Sequence, residues 1–118
     1  MDDYDPSINQ FTATYKVPGG KLVRVRADFD GTRLARLQLS GDFFLMPPEK
    51  LVDVEKFLLG WDVSVANNAD QLASRLDKFL QREQIVLSGV DAKAVGHVID
   101  LLRRQAGIEP IAVMGWRA

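Results

Sequence analysis

The first part of the chain alternates between apolar and polar residues with a period of two, which is typical of strands buried on one face. Three such stretches lie between Phe11 and Leu39, separated by the turn signals Pro18-Gly19-Gly20 and Asp30-Gly31. Short turns between consecutive strands predict an antiparallel meander with one apolar and one charged face. Leu34 breaks the alternation, and we expect it on the charged face. The predicted apolar face consists of Phe11, Ala13, Tyr15, Val17, Val23, Val25, Ala27, Phe29, Ala35, Leu37 and Leu39.

The rest of the chain has apolar residues three and four positions apart, which indicates amphipathic helices. The first predicted helix begins at Pro47-Pro48-Glu49, because proline fits the first helical turn. The second begins with Asn68 as N-cap and Gln71 in capping-box position, and the third begins with Asp91 as N-cap. Glycines at positions 60 and 107 end the first and third helices. The apolar stripes are Leu51, Val54, Phe57 and Leu58; Leu72, Leu76, Phe79 and Leu80; and Val95, Val98, Ile99 and Leu102.

These elements predict an α+β fold, in which a three-stranded antiparallel sheet is followed by about three helices packed on its apolar face. A chain of 118 residues without repeats or long linkers is expected to form one domain over 1–118. The short apolar piece Ile85-Val86-Leu87 between the second and third helices is assigned to no element.

Composition excludes several kinds of chemistry. The sequence has no cysteine and one histidine, so it has neither a disulfide framework nor a thiol nucleophile, and it lacks the ligands for a multi-histidine metal site. His97 lies off the apolar stripe of the third helix, and we expect a surface residue. A net charge of −1 argues against a dedicated nucleic-acid binder. Apolar runs are too short for a membrane span and the N-terminus is acidic, so we expect a cytoplasmic protein.

The charge is unevenly distributed along the chain. Between Lys16 and Arg36 there are six basic and two acidic residues, a net charge of +4, which leaves −5 for the rest. Alternation puts Arg24, Arg26 and Arg36 on the charged face of the sheet. Such a band fits an anionic ligand or an acidic partner surface, and it equally fits a solvated sheet face.

Two segments combine glycines with lysines or with aromatic residues, which a structural turn alone does not require. The glycine–lysine turn (Lys16–Lys21) is expected to expose backbone N–H groups beside two ammonium groups, which suits an anion, although solvated lysines flanking a hairpin turn fit equally well. In the Gly-Asp-Phe-Phe segment (Gly41–Phe44), two adjacent aromatic side chains of a regular strand cannot both face the core. We expect one phenylalanine in the core and the other against a partner or ligand.

Taken in order, these segments resemble the C-terminal accessory domain of lipoate-protein ligases, above all the version encoded as a separate small subunit. The resemblance rests on Lys16-Val17-Pro18-Gly19-Gly20-Lys21, on Leu39-Ser40-Gly41-Asp42-Phe43-Phe44, and on the helix start Ser88-Gly89-Val90-Asp91. It covers about Phe11 to Arg104. We therefore expect a family-like core over about 11–106 and a C-terminal extension over 107–118 of unassigned role.

The resemblance implies a role in protein lipoylation. In that family a large domain binds lipoate and ATP with Mg²⁺, forms lipoyl-AMP, and transfers the lipoyl group to a lysine of a carrier domain. The small domain has no such activity alone; it docks on the large one and is needed for adenylation. Family folds of this kind are also similar to sulfur-acceptor and iron–sulfur scaffold proteins, whose cysteines this sequence lacks.

Site residues follow from the resemblance as expectations. The partner implied is a ligase catalytic subunit, and indirectly its lipoyl carrier domain. No catalytic residue and no metal ligand are expected in this chain. Near the nucleotide or the subunit interface we expect Lys16, Gly19, Gly20 and Lys21, and at the interface Arg24, Arg26, Gly41, Asp42, Phe43 and Phe44.

Three alternatives stay open. A self-sufficient small enzyme is disfavoured by the missing nucleophile and base. A second alternative is a binding module for lipoyl carrier domains that does not act on a ligase. A third is a self-associating domain that pairs through an exposed sheet edge with Trp61 or Trp116.

Overall fold

The predicted meander forms the first layer of the fold. In the computed structural model, which describes residues 10–111, β1 (Gln10–Lys16), β2 (Leu22–Asp30) and β3 (Arg33–Gly41) make an antiparallel sheet in the order β1-β2-β3. The strands alternate apolar and polar residues, so that buried valines of β2 face the core while arginines of β2 face outward.

The helices form the second layer. A 3₁₀ turn (Pro48–Lys50) leads into α1 (Leu51–Leu58), followed by α2 (Asn68–Arg82) and α3 (Ala92–Gln105). α3 packs on β1 and β2, α1 packs on β3, and α2 packs on α3. The apolar stripe of α3 is fully buried, and the stripes of α1 and α2 supply most of the remaining helical core. The α+β prediction is confirmed.

One prediction about β3 is wrong. Leu34 is 1% exposed, whereas Ala35 is exposed, the reverse of what strict alternation predicts. Asp28 pairs with Arg36 and Phe29 pairs with Leu34, so Ala35 has no partner on β2. This β-bulge reverses the face on which Leu34 lies relative to the residues after the bulge.

The predicted start of the second helix is also wrong, both in the residue that forms the N-cap and in the capping hydrogen bonds. Asn67 is the N-cap, in the left-handed conformation and without a side-chain hydrogen bond, and Asn68 is the first helical residue. Asn68 is buried, and Gln71 donates to the Ala66 carbonyl instead of forming a capping box. Asp91 is the N-cap of α3 as predicted, since its carboxylate accepts the Ala94 N–H at 2.9 Å.

A second, smaller sheet was not predicted. β4 (Phe44–Met46) and β5 (Val86–Ser88) pair antiparallel and form a two-stranded ribbon. β5 includes most of the apolar piece left without an element. Strands of three residues are too short for a period to identify them. Over residues 10–111, no helix combines the length and apolar character that crossing a bilayer requires.

The chain beyond α3 is described as far as Ile111, whose N–H donates to the Ser64 carbonyl at 2.7 Å. The acidic start, Trp116 and the remainder of the 107–118 extension lie outside the described residues.

Candidate interaction site

The glycine–lysine turn closes on itself through its own backbone. The N–H of Val17 donates to the Lys21 carbonyl at 3.0 Å, and the N–H of Gly20 donates to the Val17 carbonyl at 2.8 Å. Gly19 supplies the positive φ of 73° that the turn needs. The Lys16 Nζ donates back to the Gly20 carbonyl at 3.0 Å, so one of the two ammonium groups helps to hold the turn.

The turn is fixed against Gly89, at the corner between β5 and α3. The Lys21 N–H donates to the Gly89 carbonyl at 2.8 Å. A Cβ on Gly20 would lie 2.5 Å from that same oxygen, which excludes a side chain at this position without a backbone shift. The expectation of exposed N–H groups therefore fails for Gly20 and Lys21, because both groups are committed to the fold.

The Gly-Asp-Phe-Phe segment meets the same end of the sheet. Gly41 pairs with Val23, and a Cβ on Gly41 would overlap the Leu22 carbonyl oxygen. The Asp42 Oδ1 accepts the Leu22 N–H at 2.7 Å, and the Asp42 N–H donates to the Leu22 carbonyl at 3.2 Å. Asp42 therefore ties the beginning of β2 to the end of β3.

The two phenylalanines separate as predicted. Phe43 is half-buried against the core, whereas Phe44 is 65% exposed on β4. Phe43 also lies between two of the tight glycines, since its ring or backbone is among the nearest atoms to a Cβ built on Gly41 or on Gly89. The turn, the Gly-Asp-Phe-Phe segment and the corner at Gly89 thus form one packed unit.

Arg24 and Arg26 lie on the outer face of the sheet, the face opposite the helices. Arg24 stands between Thr14 and Ser40 in the strand register, and Arg26 stands between Thr12 and Gln38. Arg36 shares this face, as predicted, and its Nε lies 3.9 Å from the carboxylate of the nearly buried Asp28. The structure therefore groups the two arginines predicted at the interface with each other, beside the turn rather than within it.

His97 is exposed on α3, as expected. Its ring meets the Tyr15 ring edge-on, with 4.4 Å between the centroids. Among residues 10–111, no group of three or more His, Asp or Glu side chains could hold a metal ion.

A polar network between the helices was missed by the sequence analysis. Asn68 accepts from the Trp61 indole N–H and donates to Asp100 at 3.1 Å. Arg103 donates to Asp100 at 2.7 Å and to the Ile108 carbonyl at 2.7 Å. The network joins the loop before α2, α2, α3 and the chain after α3. In the sequence Asn68 has the appearance of a helix cap. Its burial, which places it in this network, is not visible in the sequence.

Burial of the Asp100 carboxyl works to raise its pKa. Hydrogen bonds from Arg103 and Asn68, together with the charges of Arg103 and Arg104, outweigh it and hold the pKa of Asp100 below its ordinary value. The hydrogen bond to Asp100 raises the pKa of Arg103. Side-chain and backbone hydrogen bonds from Ser64 lower the pKa of Asp62. These are groups that stabilise the scaffold, and none of them lies in the packed unit around the turn.

Comparison with known proteins finds a similar lipoate-protein ligase subunit. A curated relative, "Lipoate-protein ligase A subunit 2" of Thermoplasma acidophilum, is 33% identical over 58 residues, which cover 49% of this chain and 61% of the relative. The chain resembles a lipoate-protein ligase accessory subunit. The matched stretch thus spans less than two thirds of the length of that relative. No family model matches the chain.

The same fold occurs in a solved structure. That structure is a chain from the structural analysis of an archaeal lipoylation system of Thermoplasma acidophilum, a bipartite lipoate protein ligase and its E2 lipoyl domain. It superposes with a TM-score of 0.59 and 23% identity, over 80% of this chain and 94% of that one. At this identity the likeness establishes the shared fold.

Proposed function

We propose that this chain is the accessory subunit of a bipartite lipoate-protein ligase, which docks on a catalytic chain and is required for lipoyl-AMP formation. One observation carries the proposal: the segments on which the resemblance rests are distant in the sequence but pack together, since the Lys21 N–H bonds the Gly89 carbonyl and Asp42 bonds Leu22. The relative named as a ligase subunit supports the same role.

The chemistry explains why such a subunit would carry positive charge. In adenylation a carboxylate oxygen of lipoate attacks the α-phosphorus of ATP and pyrophosphate leaves; the amine of a carrier lysine then displaces AMP from lipoyl-AMP. Both substrates of the first step are anions, so cations that approach the reacting phosphate stabilise the transition state. The Gly20 and Lys21 amides are already bonded, so neither N–H is available to an anion.

We assign ATP, its Mg²⁺ and lipoate to the catalytic chain. The part of this chain that the structure describes has no cluster of acidic or histidine side chains suited to a metal ion. Its contribution is a preorganised surface, in which the turn and the Gly-Asp-Phe-Phe segment are held rigidly by backbone hydrogen bonds and by close glycine packing.

Reconstitution tests the proposal. A catalytic chain of a bipartite lipoate-protein ligase is assayed with and without this chain, with pyrophosphate release measuring adenylation. We expect adenylation to rise about tenfold or more when this chain is added. The control assay starts from preformed lipoyl-AMP and measures transfer to a lipoyl domain, which is expected to depend less on this chain. Adenylation at the same rate without this chain would refute the proposal.

Two variants refine the test. Lys21→Ala is expected to lower adenylation by the reconstituted pair, since it removes the ammonium group of the turn that does not bond the Gly20 carbonyl. Lys78→Ala, an exposed lysine of α2, is the matched control. An unchanged rate for Lys21→Ala would remove this lysine from the active assembly. Binding to a lipoyl domain in the absence of any catalytic chain would instead favour the carrier-binding alternative.

A further inference from the structure

The β4–β5 ribbon exposes three large apolar side chains on one face. Phe44 is 65% exposed, Met46 is 54% exposed and Val86 is 61% exposed. Met46 pairs directly with Val86, and Phe44 pairs with Ser88, so these side chains project from the same face of the ribbon. Leu45 faces the opposite way and is buried. We call Phe44, Met46 and Val86 the ribbon patch.

The ribbon patch is apolar, whereas the outward face of a two-stranded ribbon in water is expected to be polar. Exposed single apolar residues are common on protein surfaces, but neighbours on paired strands make a contiguous apolar area, which is typical of interaction sites. Attachment of the ribbon to the core does not require an apolar outward face, because Leu45 and the half-buried Leu87 already provide it.

The ribbon patch adjoins the packed unit around the glycine–lysine turn. Phe44 is the last residue of the Gly-Asp-Phe-Phe segment and pairs with Ser88. Ser88 immediately precedes Gly89, whose carbonyl accepts the Lys21 N–H. A Cβ built on Gly89 would lie 2.5 Å from the Lys21 Cγ, so the Lys21 side chain runs along this corner. The apolar patch therefore has a lysine at its Ser88 end. At its other end lies Lys50, the last residue of the 3₁₀ turn that follows β4, whose Nζ is 3.9 Å from the Glu83 Oε1.

From this geometry we infer that the ribbon patch is the surface by which this chain binds a second, different protein chain, whose contact area is an apolar recess with carboxylates opposite Lys21. The inference rests on the proposed function, which makes that partner the ligase catalytic chain. Charge complementarity argues against a second copy of this chain. Because a lysine lies at each end of the patch, a two-fold dimer would place Lys21 of one copy against Lys21 or Lys50 of the other, and like charges at an interface cost binding energy.

Threonine substitutions test the surface without removing strand propensity. Phe44→Thr, Met46→Thr and Val86→Thr are compared with Leu59→Ser, which changes a 42%-exposed leucine at the end of α1. Affinity for the catalytic chain is measured by titration calorimetry on the full chain, and the unfolding midpoint of each variant is measured in parallel. We expect Phe44→Thr to weaken binding about tenfold, the other two ribbon variants to weaken it less, and Leu59→Ser to leave it unchanged. Lys21→Glu is expected to weaken binding further, most strongly at low salt.

The outcomes separate the surface from the proposed function. Binding by the wild type with unchanged affinity in all three ribbon variants would overturn the surface and leave the proposed function standing. Failure of the wild type to bind the catalytic chain would refute both. A wild type that self-associates while its ribbon variants are monomeric would assign the patch to a second copy. A large fall in the unfolding midpoint of the ribbon variants would mean that another segment of this chain covers the patch. Either of these last two results would overturn the inference.

Discussion

Three glycines at one corner of the sheet leave no room for a Cβ beside their neighbours. Gly20 faces the Gly89 carbonyl, Gly41 faces the Leu22 carbonyl, and Gly89 faces the Lys21 side chain. Each belongs to one of the segments that resemble the ligase accessory domain. At the residue scale, the segments that carry the resemblance are therefore segments that pack closely at one corner of the sheet.

Gly20→Ala tests this packing. The added methyl group would lie 2.5 Å from a backbone oxygen, so we expect it to destabilise the fold by about 2 kcal/mol in urea unfolding. Gly31→Asn is the control, because Gly31 has a positive φ with open space around it and asparagine tolerates that conformation. Equal stability of the two variants would contradict the close approach to Gly89.

At the scale of elements, two features fix how the layers are joined. The bulge in β3 turns Leu34 into the core, where its N–H donates to the Trp61 carbonyl and its carbonyl accepts the Gly60 N–H. The Asn68–Asp100–Arg103 network joins α2 to α3. Both features lie away from the candidate interaction site and stabilise the scaffold that carries it.

The bulge predicts opposite sensitivities at two adjacent positions. Leu34→Ala is expected to cost about 3 kcal/mol, because it removes a fully buried side chain and leaves a cavity. Ala35→Ser is expected to change stability by less than about 0.5 kcal/mol, because Ala35 is exposed. Denaturant unfolding of the two variants measures both values. A larger loss of stability for Ala35→Ser than for Leu34→Ala would contradict the bulge and support regular alternation.

The helix network predicts a dependence of stability on pH. The folded pKa of Asp100 is below its ordinary value, so the unfolded chain takes up the proton first as the pH falls. The stabilisation is then complete above about pH 5 and is lost as the pH falls through the folded pKa. We expect Asp100→Asn to cost about 2 kcal/mol at pH 7 and progressively less below about pH 4.

The exposed Asp70 of α2 supplies the control for this measurement. Asp70→Asn is expected to leave the unfolding free energy almost unchanged at both pH values. If the loss caused by Asp100→Asn were the same at pH 7 and in acid, the carboxylate would contribute nothing through its charge.

At the scale of the whole molecule, Arg24, Arg26 and Arg36 share the outer face of the sheet. Exposed arginines lie on the outer sheet face, whereas the helices cover the opposite face of the sheet. A nearly neutral chain can in this way present a basic surface to an acidic partner, and such fields act mainly on the rate of association.

Charge reversal on the outer sheet face tests this effect. Arg24→Glu combined with Arg26→Glu is expected to slow association with the catalytic chain about tenfold at low salt, and less at high salt. The charge-matched control is Lys56→Glu combined with Lys78→Glu, which changes exposed lysines of α1 and α2. Stopped-flow or surface-binding kinetics measure both. Equal slowing by the two double variants would assign the effect to net charge rather than to this face.

The meander, the helix stripes and the Asp91 cap could be predicted because each depends on residues close together in the sequence. Alternation, spacing and capping are local rules, and β2, α3 and their turns obey them. The separation of Phe43 from Phe44 could be predicted for the same reason, since adjacent strand residues point to opposite faces.

The local pattern of the chain thus specifies the three strands of the larger sheet, the three helices and their order, and it contains the residues that carry the resemblance. Tertiary structure decided the rest, because it depends on contacts between distant segments. It turned Leu34 inward at a bulge, used Asn68 as a buried link rather than a cap, and paired β4 with β5. It also bonded the Lys21 amide within the fold, which no local rule could reveal, since its acceptor lies 68 residues away on Gly89, whereas the bond from Gly20 to Val17 is local.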